Sequence, residues 1–282
     1  MNAVRTAVLL AAITGLFLLI GFLLGGPTGL IIAFVMAGLM NFFAYWSSDK
    51  LALRMAGAKE VSMQEQPRLH SIVEEVAAQA GVPKPRVYMV ENDTPNAFAT
   101  GRNPKHAAVA CTTGILSLLD ERELRGVLGH ELAHVQNRDI LTSSIVATLA
   151  GAISMIAWMS LWFGGRGRDN QYGGLIALLA FLLAPLAAAL IQAGISRTRE
   201  LQADADGAKF THDPEALASA LEKLHRGVQA KPLEPTPMAQ STAHLYIVNP
   251  FRGSGIVNLF STHPPIEERV RRLRNMAYKT NV

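Results

Sequence analysis

His130-Glu131-Leu132-Ala133-His134 sets two histidines four residues apart, with a glutamate beside the first. On a helix, residues i and i+4 lie on one face about one turn apart. Two imidazoles placed that way can hold one zinc ion, each at about 2.0–2.1 Å. Glu131 is rotated about 100° from His130, so it flanks such an ion rather than binding it. From there it can take a proton from water that the metal has acidified. The chemistry served is hydrolytic attack on a peptide carbonyl. Two ordinary surface histidines would give the same letters, but Leu128, Leu132 and Val135 supply the segment with an apolar face.

A catalytic zinc takes three protein ligands and keeps a fourth position open. Glu200, in Arg199-Glu200-Leu201-Gln202-Ala203-Asp204, is the candidate third ligand. Asp204 follows it at i+4, on the same face, and could orient a ligand histidine through its second nitrogen. Spacing alone fits equally well an exposed carboxylate pair beside Arg197 and Arg199. His263, ahead of Pro264-Pro265, is either an oxyanion-stabilising group or a loop or capping histidine. Asp139 either supports the metal site or forms a cap or an ion pair with Arg138. His70, His106, His212, His225 and His244 lack ligand spacing. Cys111, the only cysteine, excludes a disulfide scaffold and reads as a small buried hydrophobe.

These side chains need elements to hold them. Asp120 and Glu123 form a capping-box signal that starts the helix carrying the histidine pair. Before it, Leu69, Ile72, Val73 and Val76 predict a helix over 67–79, stopped by Gly81-Val82-Pro83. Arg86–Val90, Asn96–Gly101 and His106–Cys111 predict three short strands. Phe98 in the second strand faces either substrate or core. The chain from 196 onward is mostly helical, with a loop over 231–265. Arg269, Arg271, Arg272 and Arg274 read there as a solvated helix face. No internal repeat is evident.

Half of the 282 residues are hydrophobic and only 17% are charged, below the roughly 25% usual in soluble domains. No Asp, Glu, Lys or Arg occurs between Arg5 and Asp49, nor over 141–165 or 170–196. Four apolar segments result, at about 6–24, 29–46, 141–163 and 175–195, each near the length a bilayer-crossing helix needs. A cleaved leader for the first, and buried soluble helices for the last pair, are the competing readings. Residues 47–140 carry 11 Lys or Arg and 197–282 carry 12, whereas the 25–28 turn carries none. The positive-inside tendency therefore places both polar regions in the cytoplasm. The third segment starts seven residues after His134, and the fourth ends five before Glu200. An antiparallel hairpin would then return Glu200 to the histidine pair at the membrane surface. The net charge of +4 comes without basic runs interleaved with aromatics, so nucleic acid is not an expected partner.

With these residues in place, the chain resembles the HtpX family of membrane-bound zinc metalloproteases and, more distantly, the CaaX prenyl proteases. The resemblance is carried by His130–His134 with Asn137-Arg138-Asp139, by Pro95–Gly101, by Ser196–Glu200 through Asp204, and by Ser261–Pro265. It spans essentially the whole chain. It implies zinc, one ion per chain, on His130, His134 and Glu200, with Glu131 as general base and Asp204 supporting the metal site. It also implies that Asn96, Ala97, Phe98 and Ala99 form a strand edge that holds an extended polypeptide by backbone pairing. A role in quality control of damaged membrane proteins enters through the resemblance alone.

The expected architecture is a mainly α integral membrane protein with four transmembrane helices and a cytoplasmic α+β gluzincin-like protease domain. Its parts are two N-terminal spans (1–46), a region carrying the histidine pair (47–140), a membrane hairpin (141–195) and a helical region with the third ligand (196–282). Its expected setting is the inner membrane, as a multi-pass protein whose partners are polypeptides, membrane proteins among them, and the lipid bilayer. The sequence leaves the oligomeric state open. The rivals are a prenyl-protein protease and a non-catalytic zinc-containing scaffold. Structural zinc usually has four protein ligands, often cysteines, and a transporter would place ionisable residues inside its spans; neither pattern occurs here.

Overall fold

The computed structural model describes residues 2–146, 197–234, 243–251 and 264–280. Most of the expected 141–195 hairpin, and His263, lie outside the described residues.

The chain begins with α1 (Asn2–Met55), which is two helices joined at Gly26. Gly26 sits at φ 58° and ψ −143°, a backbone region that a side chain disfavours. Pro27 then opens the second helix, where its missing N–H costs no intrahelical bond. The chain doubles back, and Asn41 Nδ2 donates to Thr14 Oγ1 at 2.9 Å across the two halves. Among the described residues, one stretch, Gly25–Met55, is long and apolar enough to cross a membrane. Phe42, Phe43 and Trp46 near its end are about half exposed or more. The helix runs past the expected end at Trp46 to Met55. Ala44, Ser48 and Ala52 explain this: they form a buried i, i+4, i+8 strip that needs a packing surface.

That surface is a four-stranded sheet in the order β1-β2-β4-β3. Its strands are β1 (Lys59–Glu60), β2 (Arg86–Val90), β3 (Ala97–Gly101) and β4 (Ala107–Thr112). β2 runs parallel to β4, while β1 and β3 are antiparallel to their neighbours. β1, with two exposed residues, is too short to show a period. Alternation along the strands divides the core into two layers. Tyr88, Val90, Phe98, Ala108 and Ala110 meet Ala52 and Leu53 of α1. Val87, Ala97, Ala99, Val109 and Cys111 point to the other face, against the remaining helices. Phe98 is thus a core residue. Cys111 is fully buried, and burial pushes its thiol up to about 12, which leaves it inert.

The second layer holds α2 (Pro67–Gln79), α3 (Thr113–Leu118), α4 (Glu121–Gln136), α5 (Arg197–Thr211), α6 (Pro214–Ala230) and α7 (Ile266–Thr280). α4 is the central member. Its capping box is present, with Asp120 and Glu123 satisfying each other's backbone N–H. Glu123 also accepts from Ser219 Oγ and Lys223 Nζ, both at 2.7 Å, which ties the start of α4 to α6. Further along, α4 and α5 cross where two glycines meet. A Cβ on Gly207 would lie 2.6 Å from the backbone nitrogen of His130, and one on Gly129 would lie 2.9 Å from the carbonyl oxygen of Gly207. No side chain fits between the backbones, so the helices approach as closely as their main chains allow.

Candidate metal centre and active site

The glycine crossing brings three donors together. His130 and His134 project from one face of α4, with ring centroids 4.8 Å apart and planes at 87°. Glu200 projects from α5. One ligand atom from each of the three lies within 4.8 Å of the other two. The Glu200 carboxylate faces both Nε2 atoms, at 3.7 Å from His130 and 3.4 Å from His134.

Both imidazoles are held by their other nitrogen. His130 Nδ1 is 2.9 Å from Asp204 Oδ1, and His134 Nδ1 is 3.1 Å from Asp139 Oδ2. This leaves both Nε2 atoms turned inward, the arrangement by which carboxylates orient metal-binding histidines. Asp139 also pairs with Arg199 Nη1 at 3.1 Å. Two imidazoles and a carboxylate, buried and converging, make a donor set that suits zinc, and among the described residues no fourth protein ligand, as a structural site would have, joins them. Glu200 and Asp204 are buried together with Ala203, Gly207 and Ala208, so the carboxylates lie on the inward face of α5. They are not an exposed surface pair.

Glu131 lies beside this cluster, buried at 6% exposure. Its Oε2 accepts a hydrogen bond from the backbone N–H of Ala99 at 2.8 Å. β3 is the outer strand of the sheet, and Ala99 turns its N–H outward, to the general-base candidate. The second carboxylate oxygen, Oε1, is left for a proton. Burial raises the Glu131 carboxyl to about 7, Glu200 adding to the effect and His134 opposing it. Burial lowers His130. It acts the same way on His134, but the facing Glu200 carboxylate and the bond to Asp139 outweigh it and raise that imidazole to about 10.

The strand-edge residues do not share one environment. The Asn96 side chain is buried, donating to the Leu245 carbonyl at 3.4 Å and accepting from the Ile247 N–H at 3.1 Å. It pins the 243–251 segment to the start of β3. Phe98 packs into the layer against α1. Ala97 and Ala99 alternate with it on the α4 side. At the far end, Ser144 Oγ accepts from the Gly101 N–H at 3.3 Å and is 2.6 Å from Thr100 Oγ1.

Arg269 was expected on a solvated face and is instead fully buried. Its Nε and Nη2 reach the two Asp204 oxygens at 2.8 and 2.7 Å, and its Nη1 donates to the Ile247 carbonyl at 3.1 Å. Burial alone would raise the Asp204 carboxyl, but this guanidinium holds it well below the usual carboxylate range. A polar chain therefore runs from α7 through Asp204 to His130. The signal was available in the sequence. Val270 and Leu273 mark the buried face of α7, and Arg269 falls on the same arc as Leu273 at i+4. Three nearby arginines, Arg271, Arg272 and Arg274, masked it.

Residues 63–277 match peptidase family M48. Two relatives, each named "Protease HtpX homolog", are similar over nearly their full length. The one from Persephonella marina is 57% identical over 98% of this chain and 98% of its own. The one from Methylibium petroleiphilum is 56% identical over the same shares. The crystal structure of S. mikatae Ste24p is similar in fold, with a TM-score of 0.52 and 18% identity, covering 96% of this chain and 65% of that one.

Proposed function

The chain belongs to peptidase family M48 and is a membrane-associated metalloendopeptidase of the HtpX kind, and from that premise we propose its metal, its machinery and its substrates. The metal is one zinc ion per chain, held by His130, His134 and Glu200. The observation that carries this is the convergence of their three donor atoms beside a buried Glu131. Zinc bound there supplies Lewis-acid polarisation and acidifies water.

The protein's own groups do the rest. Asp204 and Asp139 keep the two imidazoles in the tautomer whose Nε2 faces inward. The Ala99 N–H fixes the Glu131 carboxylate by Oε2. Oε1 takes the proton of the attacking water and delivers it to the leaving amine nitrogen. A carboxyl held near neutrality by burial suits both halves of that transfer. The outward edge of β3 around Ala97 and Ala99 pairs with an extended polypeptide, whereas the Asn96 side chain closes one end of that edge. His263 is kept as an oxyanion-stabilising candidate. A non-catalytic zinc scaffold leaves a buried Glu131 carboxylate, costly to desolvate, without a purpose.

The setting we propose is an inner-membrane, multi-pass protein with four spans and a cytoplasmic catalytic domain. Its substrates are misfolded or damaged membrane proteins. The expected partners are polypeptides and lipid, not nucleic acid. The test is cleavage of casein by detergent-purified protein with zinc, comparing wild type with Glu131→Gln. Glutamine keeps the acceptor for Ala99 but cannot carry the proton. Turnover should fall by about 10²–10⁴-fold, with zinc still bound at one per chain. Equal, robust cleavage by the variant would remove Glu131 from the mechanism.

A further inference from the structure

We propose that the active site is held at a fixed, short distance from the bilayer, so that the enzyme cuts membrane proteins close to where their chains leave the lipid. This rests on the reading above, in which Gly25–Met55 crosses the membrane and β3 pairs with substrate.

The first observation is continuity. The apolar helix that starts after Gly26 does not end at the water interface but continues to Met55. Its last residues are part of the protease domain, because Ala52 and Leu53 pack in one cluster with Phe98, Tyr88 and Ala110 of the sheet. Span and sheet are therefore joined by an unbroken helix packed into a core, with no linker between them. From Trp46 to Leu53 the helix advances only about 10 Å.

The second observation concerns the direction of β3. Its Gly101 end leads to Arg102, whose guanidinium lies 4.7 Å over the Trp46 ring. Trp46 belongs to an exposed aromatic group with Phe42, Phe43 and Tyr45, the type of belt that sits at headgroup level. Gly101 also meets the helical stretch that opens at Ile140. Its N–H is capped by Ser144, and a Cβ on it would lie 3.1 Å from Ile140 Cδ1. That stretch enters the third apolar segment of the sequence. The Gly101 end of β3 is thus the end nearest the bilayer, beside the aromatic belt of α1 and the start of the third apolar segment of the sequence.

Ala99, which holds the Glu131 carboxylate, is two residues from that end. Two strand residues span about 7 Å. A substrate strand laid on β3 places its scissile bond only a few residues from the aromatic belt. A polypeptide emerging from the lipid beside the enzyme reaches Glu131 within about ten extended residues. A distant segment reaches it only by looping back, at an effective concentration that falls with linker length.

The experiment uses the wild-type chain in liposomes with a membrane-anchored substrate. The substrate carries one hydrophobic span followed by a forty-residue unstructured linker of uniform repeating sequence. Cut positions are mapped by mass spectrometry, and the same linker without its anchor, together with casein, serves as the soluble comparison. Cuts within the first ten residues should exceed those in the last ten by at least about fivefold, with no such bias in the unanchored linker. An even spread along the anchored linker, with casein still cleaved, overturns the fixed distance and leaves the protease intact. No cleavage of any substrate overturns the endopeptidase reading, and this inference with it.

Discussion

At the scale of single residues, the site is a set of groups that each hold one other group. Arg269 holds Asp204, Asp204 holds His130, Asp139 holds His134, and Ala99 holds Glu131. Arg269 is the position where removal is most informative, because it touches neither water nor the metal face of the cluster. Arg269→Met leaves Asp204 as a buried carboxylate without its cation, which costs about 3–5 kcal/mol. It also frees the imidazole that Asp204 orients, so zinc affinity should fall by about 10–100-fold. The double variant Asp204→Asn, Arg269→Met removes the unpaired charge and should recover most of the stability without recovering the affinity. Thermal melts and zinc competition with a chelator separate the two effects. Recovery of both together would make Arg269 a purely structural residue.

At the scale of elements, the crossing of α4 and α5 is what makes a zinc site from residues about 66 positions apart in sequence. Glu200 and Asp204 lie about two turns and one turn from Gly207, and the backbone approach at Gly207 sets their distance from His130. Gly207→Ala puts a methyl group 2.6 Å from the His130 nitrogen, so α5 must move away. Overpacking of this kind costs about 1–3 kcal/mol, and the shift carries Glu200 off the histidine pair. Zinc affinity should therefore drop in Gly207→Ala and stay unchanged in the exposed Lys209→Ala on the same helix. Much of this geometry was legible beforehand. The i, i+4 spacing placed both pairs on helix faces, the Asp120–Glu123 box fixed where α4 starts, and hydrophobic alternation found three strands. The burial of Arg269 was not read, because one charged residue on an apolar arc looks like its solvated neighbours until the partner is known. Neither was the side-chain role of Asn96. Its bonds go to backbone atoms about 150 residues later, and no local pattern reports a contact that distant.

At the scale of the whole molecule, the charges gathered around the histidine pair set how stability depends on pH. Without metal, His134 is raised to about 10 by Glu200 and Asp139 despite its burial. A cationic group whose folded pKa exceeds its unfolded value of about 6.5 stabilises fully below that value and loses its contribution as pH rises through the folded pKa. Glu131, raised to about 7, acts in the same direction, since a buried carboxylate that must ionise costs stability as pH climbs from its unfolded value through 7. The metal-free protein should therefore melt at progressively lower temperature between pH 7 and 10. Zinc reverses the trend. It needs the neutral imidazole, so binding expels the His134 proton, and apparent affinity should rise about tenfold per pH unit from 7 to 9. A thousandfold excess of ion over its dissociation constant adds about 4 kcal/mol. The difference in melting temperature between zinc-loaded and chelator-treated protein should thus widen steadily from pH 7 to 9. The Glu200→Gln variant, which removes both a ligand and the larger of the charges that raise His134, should show a smaller alkaline loss, Asp139 remaining, and no zinc-dependent gain. A melting temperature that is flat with pH in the metal-free wild type would mean that His134 is already neutral there, and that no proton is released when the site fills.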